Sequence, residues 1–511
     1  MSYKPQAFDD QPVTRSRRMR LWEEETEAGF PAESLDRKKS VDDELAREEI
    51  SKAAPPTRVG PEKEKPAYLS AGRWPILKRG HTLSFLGLLL FTATLYFRPY
   101  EFISSLAGFR SMAFWLAVAT LVVFLPTQLA VEGTLSVLPR EVKLVLLLCL
   151  LGLLSVPFAI EPGEAWPAFL DYAKVVTMFV VMVNVVRTEG RLRKIIWLAL
   201  LVSLVLSANA LNDYRTGNLK LGGNRILGVI SGLFDNPNDL ALHLVTMIPL
   251  ALGLLWAARA LSGKLIYGLC ALLMTAATVV TFSRGGFLAL ACASFTLAWK
   301  LGRRNRLAVV LLFLFMGIMF FALVPHDYTG RLLSSFGGDL DGGSAGARQN
   351  LLLKSIIVTA TRPLLGIGMN NFHILSIHEQ VTHNAYTQVG SEMGVPAMLI
   401  YIMFMLFSLK RLRQIERETL ETRKQTRIYY LSVALQASLI GYMVASFFAS
   451  VAYLWYVYYL VGYALCLHRL YEAKGAHGVF ARRKWSSQTS IAEASGKPAP
   501  SAARVLSEPL V

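Results

Sequence analysis

Long apolar stretches separated by short polar connections fill the chain from residue 81 to residue 467. A helix of about 20 apolar residues is long enough to cross the hydrocarbon core of a bilayer. Twelve stretches approach that length: His81–Phe97, Met112–Val131, Val142–Ile160, Phe169–Val186, Ile195–Leu211, Leu240–Ala257, Leu265–Phe282, Phe287–Leu301, Leu307–Val324, Val395–Leu409, Ile428–Ala449 and Val451–Leu467. The pattern predicts an all-α polytopic membrane protein with about 12 transmembrane helices, the last two joined by a tight hairpin near Ser450.

Lysine and arginine are unevenly distributed over the connections between these stretches. The even-numbered connections contain cations such as Arg187 and Arg303, and the run KRLRQIERETLETRKQTR follows Leu409. The odd-numbered connections contain fewer. Because short loops rich in Lys and Arg stay in the cytoplasm, both termini are predicted to be cytoplasmic. The long segments 212–239 and 325–392 are then predicted to lie on the outer face.

Three regions follow from this pattern. Residues 1–80 mix acidic and basic runs with prolines, which predicts a disordered cytosolic tail, and they lack the apolar core of a cleavable signal peptide. Residues 81–470 form the predicted transmembrane domain, in which residues 325–392 are a large loop between helices 9 and 10, too long for a simple connection. Residues 471–511 are small, polar and basic, and they predict a second disordered cytosolic tail.

Composition agrees with a membrane protein and narrows the classes of partner. Of the 511 residues, 53% are apolar and only 17% are charged, which excludes a water-soluble enzyme. The formal net charge of +17 is explained by cations that orient the helices in the membrane and contact anionic lipid headgroups. No nucleic acid partner is therefore predicted. All four cysteines lie inside apolar stretches and are predicted to be packing residues.

Two arginines are candidate anion ligands. Arg284, in TFSRGG, lies between two apolar stretches with almost no loop, where a guanidinium needs an anion, a carboxylate or water. Either it snorkels to lipid headgroups or it contacts a phosphate, which suits guanidinium geometry. Arg348 lies near the start of a helix predicted from Ser344 to just before Pro363, where unpaired backbone N–H groups favour anions. The alternative for Arg348 is a solvated helix face.

His383 stands where the chain is about to re-enter the membrane, in VTHNAYTQVGSEMGVPAMLI. At 100° per residue, Gly390 and Gly394 share a helical stripe with His383, which predicts a smooth groove beside the imidazole for a long apolar substrate. Glu392 points to the opposite face and is predicted to be a structural partner for another helix. The alternative for His383 is an interfacial anchor or a hydrogen-bonded structural histidine.

The order of the polar motifs adds information that no single motif has. LSVPFAIEPGEAWPAFLDYAKVV is followed by LFDNPNDLALHLVTMIPLAL, by TFSRGGFLALA, by AGARQNLLLKS with RPLLGIGMNNF, and by HNAYTQVGSEMGVPAMLIY. Over approximately residues 141–409, these motifs together resemble the O-antigen ligase-related superfamily. That superfamily contains O-antigen ligases, O-antigen and exopolysaccharide polymerases, and protein O-oligosaccharyltransferases. The SRGG motif and the segment from HN to the glycines are the most specific parts of the resemblance.

The resemblance implies a metal-independent glycosyltransferase without a cofactor, in a bacterial inner membrane. It would transfer oligosaccharide from an undecaprenyl diphosphate-linked donor to a hydroxyl of a glycan, a lipid core or a protein at the periplasmic face. Other polysaccharide assembly proteins are further expected partners. Arg284 and Arg348 would grip the donor diphosphate, and His383 would act on the acceptor hydroxyl or assist the departing diphosphate.

Further residues are candidate substrate ligands: Asn384 in the HN motif, Arg98 in FRPYEF, Lys174 in DYAKVV and Asn238 in the NPN-like turn. The last three match positions common in the family. For two of them a structural role is the alternative, because Lys174 can pair with Asp171 on its own helix and the turn around Asn238 is typical of a helix start. The other histidines considered, His243, His373 and His378, fit no zinc motif, and no metal site is predicted.

Three alternatives remain open. Twelve helices with both ends inside also suit a transporter or lipid-linked glycan flippase, although transporters place polar residues near the midplane and here they gather at one face. The second alternative is a non-enzymatic assembly subunit, and the two tails are the main support for it. Among the enzymes, the ligase form of the HN motif has Gly, Thr or Tyr three places after Gly394, where this chain has Ala397, which favours a polymerase. The sugar, the linkage and the oligomeric state are not determined by the sequence.

Overall fold

The structure, a computed structural model, describes residues 75–97, 112–218, 226, 234, 236–303, 305–307, 309–311, 314, 344–376, 380–420 and 427–473, with only the backbone of residues 75–80 and 344–345. All of these residues belong to one compact unit, Tyr68–Val511. Over the described ranges the regular structure is helical and contains no strand. The prediction of an all-α protein is therefore confirmed.

Eight helices lie between residues 75 and 301. They are α1 (Pro75–Phe97), α2 (Met112–Glu132), α3 (Arg140–Ser155), α4 (Pro162–Val185), α5 (Glu189–Thr216), α6 (Pro237–Ala257), α7 (Leu261–Val280) and α8 (Arg284–Leu301). The ends of α5 show the local rules: the Thr188 side chain caps it by accepting a hydrogen bond from the Arg191 N–H, and Gly217 ends it with a φ of 69°.

Six further helices are described after residue 343. They are α9 (Ser344–Thr361), α10 (Phe372–Leu375), α11 (Ala385–Met393), α12 (Val395–Thr419), α13 (Arg427–Ala445) and α14 (residues 455–473). α9 begins at Ser344 and ends two residues before Pro363, as predicted, because the residue before a proline is disfavoured in the helical region. α11 and α12 are separated only by Gly394.

Eight helices of the described part are long and apolar enough to cross a membrane: α2, α3 with the 3-10 turn that follows it, α4, α5, α6, α7, α12, and α13 with its own 3-10 turn. α1 contains a shorter apolar helix, His81–Phe97. The predicted ninth span, Leu307–Val324, lies mostly outside the described residues. The count of 12 spans therefore stays a prediction, as do the domain boundaries at residues 80 and 470.

The centre of the bundle is formed by α6 and α13. In the most apolar part of each helix, 78% of the α6 residues and 72% of the α13 residues are buried, against 22% in α2. A Cβ atom at Gly253 of α6 would lie only 2.5 Å from the Cβ atom of Ala434 in α13. Small residues thus bring the two helices close together, as in other membrane bundles, while α2 exposes its apolar side chains at the periphery.

Hydrogen bonds between the connections define two ends of the bundle. At one end, Asn371 bonds to the connection before α4, Ser283 before α8 bonds to Asn238 of α6, and Thr382 before α11 bonds to Ser450 between α13 and α14. We call this the site end. The opposite end contains most of the cations counted in the sequence, including the basic C-terminal half of α12.

Several predicted bounds are wrong: α5 begins at Glu189 and not at Ile195, and α12 ends at Thr419 and not at Leu409. α4 begins at Pro162, seven residues before the predicted Phe169, with Pro167 inside the helix. Pro167 removes the bond to the Gly163 carbonyl, one turn into the helix, and α4 continues beyond it to Val185. The connection before α14 is not a tight hairpin, because α13 ends at Ala445 and a 3-10 turn, Ser446–Phe448, precedes a further turn.

Candidate active site

Arg284 is the first residue of α8, and its position is set by the residues before it. Phe282 has a left-handed φ of 51°, which turns the chain sharply between α7 and α8. The Ser283 side chain then caps α8 by accepting a hydrogen bond from the Gly286 N–H at 3.1 Å. Ser283 is 2% exposed, so the guanidinium of Arg284 starts from a rigid, buried helix end.

Asn238 lies directly beside this helix end. The Ser283 hydroxyl donates a hydrogen bond to its Oδ1 atom at 2.7 Å, and Asn236 caps α6 by accepting from the Asn238 N–H at 3.0 Å. The structure thus places predicted residues Asn238 and Arg284 together. The side-chain oxygen of Asn238 is engaged within the protein, which agrees with the structural alternative for this turn.

Arg348 approaches Arg284 from α9. Its side chain is partly buried, and burial, followed by the charge of Arg284, lowers the pKa of the guanidinium from its ordinary value. A guanidinium with this pKa direction still carries its charge at neutral pH. Two positive charges from helices distant in sequence therefore meet at the site end, which is an arrangement suited to a multiply charged anion.

His383 lies in a strained turn at the start of α11. Its φ of 51° is in the left-handed region, which is rare for residues with a side chain. The flanking residues hold it there: the Thr382 hydroxyl is 2.9 Å from the Ser450 hydroxyl, and the Asn384 side chain caps α11. Thr382 and Asn384 are each 2% exposed, so the backbone on both sides of the imidazole is anchored in the protein.

The cap explains Asn384 of the HN motif. Its Oδ1 atom accepts hydrogen bonds from the N–H groups of Tyr386 at 2.9 Å and Thr387 at 3.0 Å. The oxygen is therefore used to begin α11, and a contact with substrate would fall to the side-chain nitrogen. In the HN motif, Asn384 therefore fixes the backbone, and His383 is held in place next to it.

The imidazole of His383 lies within electrostatic reach of Arg348. Burial is the largest cause that lowers its pKa below the ordinary value of 6.5, and the charge of Arg348 is the second. His383 is therefore neutral at neutral pH and can accept a proton. Arg348 thus interacts electrostatically with both Arg284 and His383, the other two residues that the motifs singled out.

The predicted glycine groove beside His383 is wrong. A Cβ atom at Gly390 would lie 3.0 Å from the Thr359 hydroxyl oxygen of α9, and one at Gly394 would lie 2.3 Å from the carbonyl oxygen of Leu364. Gly394 also has a φ of 90°, at which the helix breaks. These glycines let α9 and its following loop pack against α11, so the stripe is filled by the protein's own chain.

Glu392 joins α11 to the same loop. The backbone N–H groups of Asn370 and Phe372 and the Tyr453 side chain lie near its carboxylate, and burial, the largest cause, raises its pKa to about 7. The backbone adds two hydrogen bonds, from Ile367 N–H to the Ser391 carbonyl and from Gly368 N–H to the Glu392 carbonyl, each 2.9 Å long. A structural role for Glu392 was predicted, but its partners are loops and not another helix.

Asn371, in GMNNF, was missed by sequence reasoning. Its Oδ1 atom accepts a hydrogen bond of 2.7 Å from the Glu161 N–H, and its side-chain nitrogen donates to the Glu161 carbonyl. The loop after α9 is thereby tied both to α11 and to the start of α4. The signal in the sequence was a fully polar pair within an otherwise apolar segment, but its partner is 210 residues away.

Other predicted residues lie apart from this cluster or outside the described residues. Lys174 is paired with Asp171 at 2.6 Å, and both side chains are exposed, which is the structural alternative. Arg98 and His378 lie outside the described residues. His243 is buried in α6 with its Nε2 atom 3.0 Å from the Ser203 hydroxyl, and His373 lies on α10. Across the described residues, no group of three or more His, Cys, Asp or Glu side chains could hold a metal ion.

Comparison with known proteins bears on the region that contains the cluster. Residues 269–402 match the family model described as O-antigen ligase, and this range includes Arg284, Arg348 and His383. The predicted resemblance to the O-antigen ligase-related superfamily is confirmed. No curated protein sequence matches the chain.

Proposed function

We propose, from the match of residues 269–402 to a family model described as O-antigen ligase, that this protein is a membrane glycosyltransferase that uses an undecaprenyl diphosphate-linked oligosaccharide as its donor. It joins the glycan to an acceptor hydroxyl at the membrane face that contains Arg284, Arg348 and His383. The observation that supports this function best is the meeting of two arginines and a neutral histidine at one end of an apolar bundle.

The two arginines suit the leaving group of this reaction. When the bond between the sugar and the diphosphate breaks, the electron pair stays on the diphosphate oxygen, and negative charge increases there. Arg284 at the start of α8 and Arg348 on α9 can both contact that oxygen cluster, since the charge of one lowers the pKa of the other. Fixed positive charges at a developing anion are among the largest catalytic contributions that a protein makes.

His383 suits the other half of the reaction. The acceptor hydroxyl oxygen forms the new bond to the anomeric carbon, and its proton passes to the imidazole. An imidazole that is neutral at neutral pH can accept this proton. Thr382 and Asn384 anchor the backbone on both sides of His383, which limits the movement of the ring and supports proximity and orientation.

We infer a polymerase of O-antigen or exopolysaccharide in preference to a ligase. Ala397, at the position where the ligase form has Gly, Thr or Tyr, is fully buried in the first turn of α12. The acceptor would then be a growing lipid-linked glycan, in place of a lipid core or a protein. The cation-rich opposite end of the bundle supports an orientation with both termini in the cytoplasm of a bacterium and the site in the periplasm.

A defined reaction tests the proposal. Purified protein in detergent is incubated with an undecaprenyl diphosphate-linked oligosaccharide, and the lipid products are separated by mass. Growth of the glycan with release of undecaprenyl diphosphate is expected, whereas the same protein with Arg284 and Arg348 both changed to glutamine should leave the donor intact. A transporter or flippase would leave every donor bond unbroken in either protein, and that result would contradict the proposal.

A second experiment separates polymerase from ligase. Lipid-linked and surface glycans from cells with and without the gene are compared by mass spectrometry. Loss of chain length in the mutant is expected for a polymerase. Accumulation of full-length lipid-linked chains would instead identify a ligase.

A further inference from the structure

α9 has two faces of different character. Arg348 lies on the face that packs towards α11, together with Leu351, Ser355 and Val358, which are at most 7% exposed. On the opposite face of the last three turns, Leu353 is 58% exposed, Ile356 49% and Ile357 53%. Leu364, just beyond the helix, is 73% exposed. The polar residues Gln349 and Asn350 occupy the exposed side of the first turns.

The last turn of α9 lies level with the first turn of α12. The Cβ position of Gly390 is 3.0 Å from the Thr359 hydroxyl and 3.2 Å from the sulfur of Met398, so α9 and α12 meet at this glycine. The Val395 N–H, at the start of α12, donates a hydrogen bond of 2.7 Å to the Pro363 carbonyl. Because α12 is one of the helices able to span a membrane, the end of α9 lies where that span begins.

The exposed side chains of α12 continue the same apolar surface. Leu399, Met403 and Leu406 are 42–47% exposed and recur at helical spacing, as expected for a stripe that faces lipid. Leu364 joins this stripe to the exposed side of α9, because its carbonyl contacts Gly394 next to Val395. Arg362, also exposed, stands at the edge of the surface, where its guanidinium can reach a lipid phosphate.

We propose that the exposed apolar face of α9, formed by Leu353, Ile356, Ile357 and Leu364, is seated in the lipid leaflet on the site side. Its occupant is phospholipid acyl chain, and not another protein. A helix with one apolar and one polar or packed face lies in the interface with its apolar side chains at the boundary between headgroups and acyl chains. The continuous surface from α12 to α9 and the flanking Arg362 favour lipid over a protein partner.

This anchoring has a consequence for Arg348 that rests on the proposed function. α9 packs on α11 through one face and on lipid through the other, so the leaflet and the protein together set the position of its N-terminal turn. Arg348 is thereby held near headgroup depth, where the diphosphate of a lipid-linked donor would lie. Arg284, on the rigid start of α8, needs no such support.

Photocrosslinking tests the lipid contact without any substrate. A photoreactive amino acid replaces Ile357 in one variant and Asn350 in a matched variant, and each protein is irradiated in vesicles of phosphatidylethanolamine and phosphatidylglycerol. Mass spectrometry should find phospholipid adducts at position 357 in clear excess over position 350. Adducts of position 357 to another part of the chain or to a second copy, or equal lipid adducts at both positions, would overturn the inference.

An activity measurement tests the consequence for Arg348. Ile357→Asp places a carboxylate on the apolar face, whereas Asn350→Asp places one on the polar part of the same helix. Glycan transfer should fall in the first variant and stay near wild type in the second. Full transfer activity of Ile357→Asp would show that the lipid contact of α9 does not position Arg348. Since the crosslink needs no donor, lipid adducts in a protein without any transfer activity would contradict the proposed function and leave the membrane contact standing.

Discussion

The two ends of the bundle use their cations in different ways. At the end opposite the site, where Arg187 and Arg191 also repel each other, several cations have carboxylate partners: Arg187 with Glu132 at 2.6 Å, Lys300 with Glu416 at 2.6 Å, and Arg411 with Glu141 at 2.5 Å. At the site end, the charged neighbour that lowers the pKa of Arg348 is Arg284, and the one that lowers the pKa of His383 is Arg348.

The difference separates a structural use of charge from a functional one. A buried carboxylate and its cation satisfy each other. Apolar residues can replace the whole pair, but removing one partner costs folding free energy because the other charge is left buried. Two neighbouring cations that repel each other favour the binding of an anion, and perturbed groups of this kind cluster at functional sites. Substitutions at the opposite end should therefore affect stability, and those at the site end should affect catalysis.

The largest effect is expected at His383. His383→Ala removes the proton acceptor, and glycan transfer should fall on the order of 100-fold to 10,000-fold, while the protein stays inserted and abundant. His373→Ala is the matched control, because His373 lies on α10, between α9 and α11. The rate is measured with purified protein and a lipid-linked donor. Full activity of His383→Ala would remove the imidazole from the mechanism.

Arg411→Ala should show the opposite behaviour. It leaves the Glu141 carboxylate, whose side chain is 1% exposed, without its cation, and breaking a buried pair costs about 3–5 kcal/mol of folding free energy. Unfolding by denaturant in detergent measures this loss, and the exposed Arg413→Ala is the control. Transfer per folded molecule should be unchanged, and a loss of turnover without a loss of stability would contradict the contrast between the two ends.

The pH dependence of transfer sharpens the comparison further. Because burial and Arg348 lower the pKa of His383 below 6.5, the imidazole is already neutral at pH 6.5. The rate should therefore decline only at lower pH. In Arg348→Gln the repulsion from the guanidinium is absent, so the pKa of His383 rises and the acid decline of the residual activity moves to higher pH. A profile that does not move would show that Arg348 and His383 are too far apart to interact.

Glu392 provides a smaller, pH-dependent effect on stability. Its pKa of about 7 in the folded protein lies above its ordinary value, so the folded state binds the proton more tightly than the unfolded chain does. Its contribution to stability is therefore fully present below the ordinary pKa and is lost as pH rises through about 7. The unfolding free energy of wild type relative to Glu392→Gln should decrease between mildly acidic and mildly alkaline pH. A constant difference would contradict a titrating Glu392.

The smallest effect is expected at Lys174. Its pair with Asp171 is exposed on both sides, and exposed pairs contribute about 0–1 kcal/mol. Lys174→Ala should leave both transfer rate and unfolding close to wild type. A strong loss of transfer would return Lys174 to the donor site as a substrate ligand.

Much of the fold could be predicted because apolar length is a local property. The runs that became α2, α6, α7 and α12 were visible directly, and the boundaries of α9 followed from Ser344 and Pro363. The start of α4 was misplaced because residues 162–168 are less apolar than the run from Phe169, although they belong to the same helix. In the site, the stripe of Gly390 and Gly394 was predicted to be an open groove, although the protein itself fills it. Its occupant, α9 with its following loop, comes from a separate segment of the chain.

The sequence by itself determined a helical membrane protein, the polar motifs at one face, and the identity of Arg284, Arg348 and His383 as candidates. Helix length, apolar runs and motif order are properties of neighbouring residues, so they survive without coordinates. Only the tertiary structure decided that Arg348 lies near Arg284 and His383, that Asn384 caps a helix, and that Asn371 ties the loop after α9 to the start of α4. These facts depend on contacts between distant segments, and the packing of the whole bundle determines such contacts.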